Sequence, residues 1–156
     1  IRRPPRSTLD RSSAASDVYK RQDKKVLEEN FFVEKMLGTD PIKPLSEEVM
    51  NEYRKPFVNA GEDRRPTLDW PRQIPIDNEP IEVYEEVKAN LNFMMETDLP
   101  KFLIVGNPGR IMPMPLIEFC RKFKNQKEIT VNGHHFLQEE SPDEISAGLS
   151  EWLNSI

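Results

Sequence analysis

Cysteine occurs once in this sequence, at Cys120, and histidine only twice, at His134 and His135. A lone cysteine cannot close an internal disulfide, so the chain is expected in a reducing compartment, the cytoplasm. No Cys/His cluster has metal-ligand spacing, which predicts no metal site, and no motif predicts a cofactor. No apolar run reaches the ~18 residues of a membrane span. The N-terminal segment also lacks the apolar core of a secretory signal. Neither Gly-x-Ser-x-Gly nor Gly-x-Asp-x-Gly occurs, so the chain carries no recognisable nucleophile elbow.

What is present is one domain's worth of chain, 156 residues, with 14 prolines, 31% charged residues and a net charge of −5. The charge is unevenly placed. Residues 1–22 hold six Lys/Arg against two Asp, a net +4, which leaves −9 on the remainder. An acidic body argues against a nucleic-acid or anionic-membrane partner. Residues 1–22 show neither helical nor strand period and do not begin with Met. They read as a non-native leader, similar to translated adapter text, or as a disordered arm. Residues 23–80 form a second unit and 81–156 a third.

Val26, Leu27, Phe31 and Met36 lie on or near one face, which predicts a helix over 23–37, ended by Gly38 and Pro41. Ser46 is a natural N-cap for a second helix through Tyr53, stopped by Pro56. Residues 61–80 contain Pro66, Pro71, Pro75 and Pro80 and read as an ordered, irregular crossing loop. From Ile81 to Thr97, Tyr84, Val87, Leu91 and Met94 recur at helical spacing. Lys101–Val105 is a short apolar run bounded by Gly106-Asn107-Pro108-Gly109, the pattern of a buried parallel strand. A helix over 115–123 with Leu116, Phe119 and Cys120 inward, and a strand over 128–131, follow. The last helix opens on Ser141, Pro142 and Glu144, a capping box, with Ile145, Leu149, Trp152 and Leu153 on its buried face. The alternation from Ile81 onward is that of an α/β domain with a parallel sheet flanked by helices.

The histidines sit between the last strand and the last helix, in Val131-Asn132-Gly133-His134-His135-Phe136-Leu137-Gln138-Glu139-Glu140-Ser141. An α/β-hydrolase delivers its base on such a loop, downstream of nucleophile and acid. Several segments then resemble one family within that fold. They are Val26-Leu27-Glu28-Glu29-Asn30-Phe31-Phe32-Val33-Glu34, Tyr53-Arg54-Lys55-Pro56-Phe57, Arg64-Arg65-Pro66-Thr67-Leu68-Asp69-Trp70-Pro71-Arg72-Gln73-Ile74-Pro75-Ile76, and the histidine loop through Ile145. Together they are similar to the C-terminal half of the haloalkane dehalogenases. Renilla-type coelenterazine luciferases share the fold and much of the same text.

The resemblance implies the C-terminal portion of an α/β-hydrolase fold, with 23–80 as part of a helical cap and return loop and 81–156 as part of the core. It implies carbon–halogen cleavage through an aspartyl alkyl-enzyme ester, hydrolysed by water with His135 as base. The nucleophile, halide donors and orienting acid of the family fall upstream of Asp23, so the chain alone is expected to be truncated and inactive. Phe32, Pro71, Ile74, Arg110, Ile111 and Phe136 fall on pocket-lining positions, Arg110 putting a charge where the family carries a small or apolar residue. The implied partner is a small apolar substrate, a haloalkane. The alternatives are a luciferase acting on coelenterazine and a non-catalytic fragment or pseudo-enzyme.

Other residues carry plainer expectations. His134 reads as a neighbour without chemistry, and Trp70 as a packing residue rather than a halide donor. Asp40 falls at a tunnel-mouth position or is an exposed loop carboxylate. Glu47-Glu48, Glu85-Glu86 and Glu139-Glu140 read as solvated helix faces or starts.

Overall fold

The computed structural model describes residues 23–156, and the leader expected over 1–22 lies outside the described residues. Helix α1 (Glu47–Arg54) starts at the expected cap, where the Ser46 hydroxyl accepts from the Val49 amide at 3.3 Å. Helix α2 (Arg65–Arg72) is followed by α3 (Ile81–Glu96). Strand β1 (Lys101–Pro108), helix α4 (Met114–Cys120) and strand β2 (Gln126–Gly133) come next. The one-turn α5 (Leu137–Glu140) and α6 (Pro142–Leu153) close the chain.

The two strands pair in parallel, Lys101 opposite Gln126 through Pro108 opposite Gly133, with α4 as the crossover that parallel pairing requires. Helix α6 lies across both strands, with Trp152 stacked on Phe102 at 5.4 Å between ring centroids. Gly148 permits the close approach, since a Cβ there would stand 2.8 Å from the Ile129 side chain. Strand β1 begins on Lys101, which is buried. Its Nζ donates to the carbonyls of Thr97, Leu99 and Lys124 at 2.8–2.9 Å, so all three ammonium donors are satisfied. A second core, Val33, Leu37 and Met50 with Leu45, Tyr53, Phe57 and Phe136 around it, holds the 23–80 segment together.

Several local expectations are corrected. The helix expected over 23–37 is two π-helical segments, Lys24–Glu28 and Phe32–Leu37. The break is at Asn30, which takes φ +50 and is buried; asparagine tolerates that left-handed region. The irregular loop expected over 61–80 contains α2. Pro66 stands in the first turn, where no amide partner is needed, and Pro71 falls near the end, where it forfeits one bond. Trp70 does not pack: it is 69% exposed, because Leu68 turns inward and two residues further on a helix points nearly the opposite way. In α4 the inward residue is Ile117 rather than Leu116, and in α6 Leu149 and Leu153 are exposed while Gly148 faces the sheet. The capping box at Ser141 does not form; its hydroxyl donates to the Asn132 carbonyl at 2.6 Å instead. Strand β1 also runs through the Gly106–Pro108 segment read as its boundary.

Arg54 ties the Phe32–Leu37 segment to α1, donating to both carboxylate oxygens of Glu34 at 2.8 and 2.9 Å. That guanidinium holds the Glu34 carboxyl below its ordinary value of 4.5. A depressed carboxyl stabilises the fold above its unfolded value and loses that contribution as pH falls through the folded one. Both side chains are about a third exposed, so solvent limits the effect. Glu34→Gln is therefore expected to cost about 1 kcal/mol at neutral pH. In urea titrations the difference from wild type should shrink as the pH is taken below the lowered Glu34 value. An equal difference at both ends of the range would refute the assignment.

Candidate functional site

The C-terminal ends of β1 and β2 are drawn together by glycine. The Gly109 amide donates to the Gly133 carbonyl at 3.0 Å, and Gly109 takes φ +68, where a side chain is strained. Leu137, from α5, lies over both Gly106 and Gly133; a Cβ on Gly133 would meet its Cδ2 at 2.6 Å. The two strand-end loops enclose a cavity of about 70 Å³. Ile104, Val105, Met112, Ile117 and Leu137 supply its apolar wall, and Arg110, His134 and His135 the polar groups. Strand C-terminal ends are where open parallel sheets bind ligands.

Of the residues singled out from sequence, the structure brings His135 and Arg110 together at this cavity. The His135 ring is solvent-accessible and meets the Phe136 ring edge-on at 4.9 Å. No hydrogen bond to the His135 ring occurs among the described residues. Phe136 turns away, onto the Val33, Leu37 and Met50 core. Ile111 is exposed beside Arg110, Phe32 opens the second π-helical segment half-buried, and Pro71 and Ile74 lie at the end of α2. None of these five lines the cavity.

The groups that sequence reasoning passed over tie the 23–80 segment to the histidine loop. Asp40 is not an exposed loop carboxylate: it is buried, at 6% exposure. Arg110 reaches it from the β1 loop, donating to Oδ1 at 2.7 Å, while Asp40 Oδ2 has no partner among the described residues. The Asp40 carbonyl meets His134 Nδ1 at 2.7 Å, and a carbonyl can only accept, so that nitrogen carries a proton. Glu139 and Glu140 are half-buried and engaged in hydrogen bonds rather than forming an open solvated face. Glu140 accepts from the Ile42 amide at 2.8 Å through one oxygen and from the His134 amide at 2.9 Å through the other. Tyr53 donates to Glu139 at 2.5 Å, and that carboxylate, together with burial, holds the phenol above its ordinary value of 10.0. The only hint was Arg110, a charge where the resemblance implies a small or apolar residue, and a cation so placed requires a partner.

Chemically, the arrangement offers an imidazole with free nitrogens at the edge of an apolar hollow, a basic group able to take a proton from water. Among the described residues, no group of three or more His, Cys, Asp and Glu is placed to hold a metal, and no helix is long and apolar enough to cross a membrane.

No family model matches the chain. A haloalkane dehalogenase of Sphingobium indicum is 45% identical over 131 residues, covering 84% of this chain and 44% of that protein. The coelenterazine h 2-monooxygenase of Renilla reniformis is 37% identical over 136 residues, 86% of this chain and 43% of that protein. The crystal structure of a haloalkane dehalogenase from Bradyrhizobium elkani superposes with a TM-score of 0.81 at 32% identity, covering 92% of this chain and 52% of that one. The chain thus spans about half the length of the proteins it matches, and its parallel sheet and helices are part of an α/β-hydrolase fold.

Proposed function

We propose that this chain, a homologue of roughly half of a haloalkane dehalogenase, supplies the base and one pocket wall of a dehalogenase-type hydrolase. His135 is the base. The observation that supports this is its position: an accessible imidazole on the loop after β2, at the rim of an apolar hollow between parallel strand ends. Residues 23–80 serve as part of the cap and 81–156 as part of the core.

In the reaction, a carboxylate from sequence outside residues 23–156 attacks the halogen-bearing carbon, and halide leaves with the bonding pair. The product is an alkyl ester. Water then attacks the ester carbonyl as His135 takes its proton, and the alkyl group leaves as an alcohol, restoring the carboxylate. A carboxylate is already ionised at neutral pH, so His135 acts in the second step alone. A small apolar substrate suits the wall of Ile104, Val105, Met112, Ile117 and Leu137, with Arg110, His134 and His135 supplying the polar groups. In this reading Phe32, Pro71, Ile74 and Ile111 belong to the part of the pocket beyond this hollow, with Arg110 at its mouth, while Phe136 is seated on the Val33, Leu37 and Met50 core. Neither nucleic acid nor membrane is a partner of so acidic a body, and the single Cys120 suits the cytoplasm.

The Renilla relative supports a second reading, an oxygenase acting on coelenterazine in the same pocket. The protein translated from the complete transcript, given a bromoalkane and separately coelenterazine, distinguishes them. Halide release without light is the expected result. Light without halide overturns it in favour of the oxygenase, and neither signal favours a non-catalytic protein.

A further inference from the structure

His135 has no hydrogen bond of its own among the described residues, so its place must be fixed through its neighbours. His134, next to it, is held twice. Its amide donates to Glu140 Oε2 at 2.9 Å, and its Nδ1 donates to the Asp40 carbonyl at 2.7 Å. The same Glu140 grips the Ile42 amide at 2.8 Å, and Arg110 grips the Asp40 carboxylate at 2.7 Å. The short strip Asp40–Ile42 is therefore bound to the histidine loop through both main chain and side chain. On the other flank, Phe136 is seated on the Val33, Leu37 and Met50 core.

We infer that His134 is a positioning residue: its ring, clasped to the Asp40 carbonyl, sets where the His135 imidazole stands. The inference rests on the assignment of His135 as base. The acceptor belongs to a residue that is almost wholly inside, so the ring is tied to a fixed point of the fold rather than to a mobile surface group. The clasp also makes the base dependent on the cap strip, because displacing Asp40–Ile42 releases the Nδ1 bond and one arm of Glu140 together.

Two substitutions in the complete protein separate positioning from mere support. Asparagine can place an N–H near the position of Nδ1, and alanine cannot. His134→Ala is expected to slow hydrolysis of the alkyl-enzyme ester roughly tenfold, the scale of one lost hydrogen bond, and to slow the halide burst much less. His134→Asn should recover most of that loss. Long-range proton–nitrogen spectra of the imidazoles should show His135 shifted or broadened in His134→Ala and close to wild type in His134→Asn. Unmoved His135 signals in His134→Ala would overturn the inference. So would equal slowing of both steps with a lowered melting temperature. If the wild-type protein releases no halide, the hydrolase reading fails, while the imidazole spectra still decide the clasp.

Discussion

If the hydrolase reading proposed above holds, His135→Gln in the complete protein should release one halide per enzyme molecule from a bromoalkane and then arrest. The first step needs no base, because the attacking carboxylate is ionised without help. The second step does need one, since water is a poor nucleophile until its proton is taken, and glutamine cannot take it. General bases contribute about 10²–10⁴ in rate, so steady-state turnover should fall by roughly 10³ while the burst persists. Intact-mass measurement should then show the protein heavier by one alkyl group. Because the His135 ring is accessible and makes no hydrogen bond among the described residues, the change should leave folding stability within about 0.5 kcal/mol of wild type. Sustained turnover would remove His135 from the reaction. Loss of the burst as well would mean that the first step, too, depends on this residue.

How far the site could be read in advance follows from which forces are local. Ser46 and the three- and four-residue spacing of Tyr84, Val87, Leu91 and Met94 act within a turn or two, and α1 and α3 appear where those signals stand. The apolar run from Phe102 to Val105 becomes β1 for the same reason. Helix α2 is hidden because Pro66, Pro71, Pro75 and Pro80 crowd one stretch and read together as helix breakers. Pro66 sits where a helix has no amide bond to lose, and Pro71 where it has one. The break at Asn30 was hidden by an apolar period that continues across it, while one left-handed residue interrupts the bonding.

The site divides the same way. Loop position after a strand is a chain-order property and points to His134 and His135 alike; the choice of His135, and the attention to Arg110, rest on the resemblance to the haloalkane dehalogenases. Asp40, Tyr53, His134, Glu139 and Glu140 were not legible in their roles. Each finds its partner in a distant part of the chain, Asp40 with Arg110 and His134, Tyr53 with Glu139, Glu140 with Ile42. An acidic pair such as Glu139-Glu140 has the same text whether it faces water or bridges two backbone amides. Only the arrival of the 23–80 segment at the histidine loop decides between them.

The Asp40–Arg110 pair yields the largest expected effect on stability. Its members are unequal: the Arg110 side chain is 60% exposed and that of Asp40 7%. Desolvation therefore falls on the carboxylate, whose second oxygen has no partner among the described residues. Arg110→Ala leaves that carboxylate buried without its counter-charge. Losing one partner of a fully buried pair costs about 3–5 kcal/mol, and water entering at the exposed arginine side should reduce the loss to about 2 kcal/mol. Asp40→Asn should cost less, because it removes the buried charge together with the pairing. In the double variant Arg110→Ala/Asp40→Asn, most of the Arg110→Ala loss should be recovered, giving a coupling of at least about 1 kcal/mol in a urea double-mutant cycle. Additive losses would mean that the two side chains contribute independently and that the ion pair does not hold the Asp40–Ile42 strip to the strand-end loop. Coupling of the expected sign would make Arg110 the anchor of Asp40. The charge at Arg110 would then be explained by its hold on the Asp40–Ile42 strip.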